Sequence, residues 1–128
     1  HKHIPELMRY GGLTRRPIFV PSVGNFRQGM IVSVPLHLDT LPGKPSLRDL
    51  ERVLDEHYRG SDVVTVSQAP GAKLTRLAAE VADGNDRLEL FVFGKAELGQ
   101  AVLLARLDNL GKGAAGAAVQ NIRLMLGI

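Results

Sequence analysis

Residues 87–108 read RLELFVFGKAELGQAVLLARLD. Two runs rich in β-favouring apolar residues, 87–94 and 100–108, flank a short link. A link that short permits only antiparallel pairing, because a parallel crossover needs a dozen residues or more. The pair is therefore a β-hairpin, and the rest of the chain must organise around it.

Upstream, MIVSVPLHLD at 30–39 alternates. Met30, Val32, Val34, Leu36 and Leu38 share one face, with Ser33 and His37 on the other. Pro35 lacks a ladder donor, which makes this an edge or bulged strand. DVVTVS at 62–67 supplies a fourth strand. Ser46 caps a helix with Asp49 three residues on, a capping box, and Leu47, Leu50, Val53, Leu54 and His57 follow at helical spacing to about Tyr58. His37 and His57 read as structural or solvated, and His57, closing that apolar stripe, suits a packed residue better than a ligand. HIPELMRY at 3–10 predicts a short helix with Pro5 in its first turn and Gly11-Gly12 at its end. Residues 17–23 form a short extended run and 24–29 a loop, whereas 68–86 fit either a short helix or an irregular segment. A closing helix takes 111–126. Four strands and three helices without strict alternation define an α+β fold, a mainly antiparallel sheet with helices on one face.

At 128 residues, with 45% hydrophobic and 23% charged residues, the chain suits one soluble domain. No run reaches the roughly 18 apolar residues of a membrane span, so no membrane partner and a cytoplasmic location are expected. The net charge of +3 and pI near 9.6 invite a nucleic-acid reading. Dispersed basic residues and 5% aromatics argue against it, and a small anionic partner suits the balance equally well. The chain opens on His1, which is consistent with processing, cutting or membership of something longer. With no cysteine, disulfides, thiolate metal sites and a cysteine nucleophile within these residues are excluded.

Three places carry candidate chemistry. His1-Lys2-His3 with Glu6 offers metal-ligand types or a general base, or is simply a solvated terminus. The loop Gly24-Asn25-Phe26-Arg27-Gln28-Gly29 holds a guanidinium fork suited to a carboxylate or phosphate, or is a turn with a solvated arginine. Asp108-Asn109-Leu110-Gly111-Lys112-Gly113 sits where a strand gives way to a helix. It lacks the spacing of a P-loop. The helix it opens begins with six small residues, Gly111, Gly113, Ala114, Ala115, Gly116 and Ala117, broken only by Lys112. Each helical glycine is unfavourable by about 1 kcal/mol relative to alanine, so something is expected to approach that backbone closely, a ligand or another backbone.

The same residues resemble a known family. His1-Lys2-His3-Ile4-Pro5-Glu6 is similar to the HxHxPE segment of N-acetyl-gamma-glutamyl-phosphate reductases, and residues 108–120, DNLGKGAAGAAVQ, resemble their DNLxKGAxGxAVQ signature. VGNFRQGM and DRLELFVFG are similar to the short, type 2 branch. The resemblance implies the C-terminal domain fold of glyceraldehyde-3-phosphate-dehydrogenase-like reductases. It implies NADPH-dependent reduction of N-acetyl-glutamyl 5-phosphate to the semialdehyde and phosphate, in arginine biosynthesis, through a cysteine thioester. It further implies a catalytic and dimerisation portion at 1–110, and a closing helix at 111–128 that packs on a nucleotide-binding domain not included here. Under it, His1 (the favoured one) or His3 is the general acid/base and Glu6 orients it or touches substrate. Arg27 and Gln28 bind substrate, although a basic residue is usual directly before the glycine. Asn109 and Gly113 lie near the nicotinamide and Lys112 near the interdomain hinge. Asp86, in the turn Gly84-Asn85-Asp86-Arg87, stands where asparagine is usual. No metal is implied. The expected partners are N-acetyl-glutamyl phosphate, a second copy in a homodimer or higher oligomer, and the amino-terminal part of the same enzyme. Without a cysteine the chain alone is expected to be inactive, and a non-enzymatic dimerising module is the rival reading.

Overall fold

The computed structural model describes residues 2–67, 76–80 and 86–128. Helix α1 spans His3–Tyr10, and β1 spans Met30–His37, followed by a 3₁₀ turn at Leu38–Thr40. Helix α2 (Leu47–Tyr58) and the short β2 (Val64–Val66) come next. β3 (Leu88–Lys95) and β4 (Gln100–Leu107) form the hairpin around a 3₁₀ turn at Ala96–Leu98, closed by Gly99 in the left-handed region at φ 60°. A π-helical turn at Gly111–Ala115 then runs into α3, Gly116–Leu126.

The sheet order is β1-β4-β3-β2. β4 pairs antiparallel with β1 and with β3, which confirms the hairpin and the mainly antiparallel α+β fold. Pro35 lies on the edge strand, where a missing donor is harmless. β2 pairs parallel with β3, so the sheet is mixed.

Helix α2 starts as its sequence dictates. Asp49 N–H donates to Ser46 Oγ at 3.2 Å, and Ser46 N–H donates to Asp49 Oδ2 at 2.9 Å. The helix packs on β2 and β3. Gly94 permits this, since a Cβ there would lie 2.6 Å from Leu47 Cδ2. Among the described residues the buried apolar residues are Leu38, Phe91, Val92 and Ala101, with Phe91 on the opposite face of the sheet from Val92 and Ala101. On the face that carries α2, the β1 side chains are uncovered: Met30, Val32 and Val34 are 39%, 45% and 46% exposed. Of the two readings of His57, structural or solvated, the second holds. The residue is exposed, with its ring edge-on to Tyr58.

The closing helix also departs from a simple α-helix. Its first turn is π-helical, with Gly113 N–H donating to the Asp108 carbonyl at 2.9 Å and Ala115 N–H to that of Leu110 at 3.3 Å. Such turns recur at functional sites. Beyond it, Val119, Ile122, Leu124, Met125 and Leu126 of α3 are all exposed.

Candidate functional site

The strand-to-helix junction gathers more of the candidate residues than any other place in the described chain. The β1–β4 ladder ends at the pair Met30 and Leu107. Asp108, next along, is 4% exposed and accepts from three donors. Its Oδ1 accepts from Leu110 N–H at 2.8 Å, its Oδ2 from Gln28 Nε2 at 3.2 Å, and its carbonyl from Gly113 N–H. Asn109 Oδ1 accepts from Gly29 N–H at 2.8 Å. The loop at 24–29 is thereby clamped to the junction at two adjacent points.

Gly29 is required there on two counts. Its φ of 113° is one that side chains rarely adopt, and a Cβ would run into the Ala79 carbonyl and sit 2.9 Å from Glu80 Cα. Arg27, one residue beyond the clamp, is exposed and makes no hydrogen bond or ion pair among the described residues. It is a guanidinium held by its backbone and presented outward, the arrangement an anionic group can use.

The small-residue run divides into parts with different causes. A Cβ at Gly116 would run into the Asp86 carboxylate, and one at Gly111 would lie 3.2 Å from both Asp86 Oδ1 and Asp108 Oδ2. These two glycines are explained within the chain. Gly113 is not: its Cβ would meet nothing closer than 3.5 Å, and Gly113, Ala114 and Ala115 are exposed. Lys112 reaches forward along the helix, its Nζ hydrogen-bonded to Gln120 Oε1.

The structure thus brings Gln28, Asn109, Lys112 and Gly113 to one junction with Arg27 beside it. It leaves His3 and Glu6 on a separate element, α1, where the His3 ring stands edge-on to Phe19 at 6.0 Å between centroids. His1, Gly84 and Asn85 lie outside the described residues. No group of three His, Asp or Glu side chains suited to a metal ion occurs among the described residues, and no described helix is long and apolar enough to cross a membrane. Sequence reasoning overlooked Asp108 as an individual. The available signal was a lone carboxylate at the end of a largely apolar strand.

Residues 1–109 match the family described as the semialdehyde dehydrogenase dimerisation domain. The chain belongs to that family. It is also 59% identical, over 128 residues and 99% of its length, to the N-acetyl-gamma-glutamyl-phosphate reductases of Brucella ovis, Brucella abortus and Brucella melitensis. It spans 41% of the length of those relatives.

Proposed function

We propose that this chain is the carboxyl-terminal, substrate-facing part of an NADPH-dependent N-acetyl-gamma-glutamyl-phosphate reductase. The observation that carries the reading is the clamped loop, which presents Arg27 beside the Asn109–Gly113 segment. A guanidinium suits the carboxylate or phosphate of N-acetyl-glutamyl 5-phosphate. The exposed small surface at Gly113, Ala114 and Ala115 suits a flat ring, and among the described residues nothing requires glycine at 113. NADPH, when bound, supplies the hydride. This chain would offer it Asn109 and Gly113, and most of its site would lie in the amino-terminal domain. A histidine of the His1–His3 segment moves the proton, with Glu6 beside it. Residues 1–110 form the catalytic and dimerisation portion and residues 111–128 the helix that docks on the nucleotide domain. The enzyme works in the cytoplasm.

Alone, the chain does not catalyse the reaction, because an acyl thioester needs a thiolate and no cysteine is present. What it retains is association. The β1 face and the apolar side of α3 leave large hydrophobic side chains exposed among the described residues. This observation favours a second role, a self-associating module, which is compatible with the first.

The test is Gly113→Leu in the full-length enzyme. It raises KM for NADPH at least tenfold, since one misplaced side chain at a cofactor face displaces the ring. An unchanged KM would remove Gly113 from the cofactor site.

A further inference from the structure

We propose that Gln28 and Asp108 are positioning residues for the acyl-phosphate site, their contact fixing where Arg27 stands relative to the 109–113 segment. The inference rests on the reductase reading and adds what that reading leaves open: how two segments eighty residues apart in sequence keep one geometry.

The register shows why side chains do this work. Beyond Met30 and Leu107, the next antiparallel partners in line are Gly29 with Asp108 and Gln28 with Asn109. The backbone ladder does not extend to them. The Asp108 carbonyl accepts instead from Gly113 N–H, opening the π-helical turn. The side chains continue the pairing where the backbone stops: Asn109 Oδ1 takes Gly29 N–H, and Asp108 Oδ2 takes the Gln28 amide.

Asp108 therefore holds both candidate ligand segments. One carboxylate oxygen holds the loop before β1, the other holds Leu110, and the carbonyl holds Gly113. At 4% exposure, water is a poor substitute, and a donor withdrawn from a buried carboxylate is costly. Rotation at Gly29 offers no relief, because the Ala79 carbonyl and the Glu80 backbone close that side. Arg27 inherits its place from this clamp. Gln28 acts through Asp108, and its Nε2 is spent on that carboxylate rather than on substrate.

The experiment is a charge exchange across the contact, read in the full-length reductase that carries this chain. Gln28→Glu sets two carboxylates against each other. It is expected to raise KM for N-acetyl-glutamyl phosphate about tenfold, with a much smaller change in kcat. Asp108→Asn alone stays within about threefold of wild type, because the Gln28 amide can flip to accept. Combining Gln28→Glu with Asp108→Asn restores a donor–acceptor pair and returns KM to within about threefold. Gln28→Ala, which adds no charge, raises KM less than Gln28→Glu does and guards against a misfolded variant. In parallel, amide exchange in the 128-residue chain is expected to show Gly29 and Leu110 protected, with Gly29 loosened by Gln28→Glu and protected again in the double variant. An active wild type whose KM ignores Gln28→Glu, or a double variant as poor as the single one, overturns the inference alone. A wild type that does not reduce N-acetyl-glutamyl phosphate overturns the reductase reading, and the inference with it.

Discussion

The Asp86 carboxylate lies against the α-carbon of Gly116, at the point where the π-helical turn becomes α3. Gly116 is buried, and the space a methyl group would need is occupied by that carboxylate. Glycine costs helix stability, yet here it lets a loop and a helix close on each other. The same carboxylate also borders Gly111, so Asp86 organises the first turns of the closing helix from outside.

Gly116→Ala and Asp86→Ser should consequently be coupled. Alone, Gly116→Ala is expected to be neutral or destabilising, because about 1 kcal/mol of helix propensity is offset by expelling the carboxylate. In the Asp86→Ser background it is expected to stabilise by about 1 kcal/mol. Urea unfolding of the four variants measures the coupling, and strict additivity would mean that the contact carries no energy.

Arg106 is expected to be a costly charged residue to remove. Its Nε donates to Glu89 at 2.6 Å across the β3–β4 pair, its guanidinium stacks 5.6 Å from the centre of the Phe91 ring, and Nη1 reaches the Ala78 carbonyl at 3.4 Å. The pair is only 22% and 31% exposed. Arg106→Ala should cost about 2–3 kcal/mol, much of it from leaving Glu89 without its partner. Arg106→Lys should recover part of the loss, because the planar fork and the ring stacking are not reproduced. Thermal unfolding separates the two.

Acid should weaken the start of α2. The Ser46 hydroxyl, donating at 2.7 Å, then the Ser46 N–H, then Arg52, hold the Asp49 carboxyl below its ordinary value. Because the folded value is the lower one, the stabilisation is complete above the unfolded aspartate range near pH 4. It is lost as pH falls through the folded value. The urea midpoint of wild type should drop across that acid window. Asp49→Asn should be less stable at neutral pH and show a shallower acid dependence.

The uncovered side of the sheet predicts where copies meet. Val32→Lys puts a charge in the middle of the exposed Met30, Val32 and Val34 row and should shift the chain toward monomer in sedimentation, since a charge desolvated at an apolar contact is poorly tolerated. Met125→Lys on α3, 86% exposed, should leave that equilibrium unchanged if the sheet is the contact. The reverse result would assign self-association to the helix.

The fold was legible wherever a local constraint acts alone. The short link between 94 and 100 forces the hairpin, Ser46 and Asp49 start α2, and Pro35 sends β1 to an edge. β2 was legible as a strand but not in direction, because three residues carry no register and the parallel pairing depends on the route taken between Val66 and Leu88. The π-helical turn has no periodic signature; it exists because the Asp108 carbonyl takes Gly113 N–H. At the site, the residue types were legible and the partnerships were not. Nothing in the sequence pairs Gln28 with Asp108 across eighty positions, or distinguishes Gly116, crowded by Asp86, from Gly113, where a Cβ would make only ordinary contacts.

The most direct test of the reductase reading replaces the matching carboxyl-terminal segment of the Brucella ovis reductase, 41% of its length, with this chain. NADPH oxidation is then followed with N-acetyl-glutamyl phosphate as substrate. The account predicts phosphate-releasing, acyl-phosphate-dependent oxidation within about tenfold of the parent, abolished by Arg27→Glu through KM. A chimera that folds and self-associates like the parent, yet oxidises NADPH no faster than the chain alone, would contradict it and leave the self-associating module as the function.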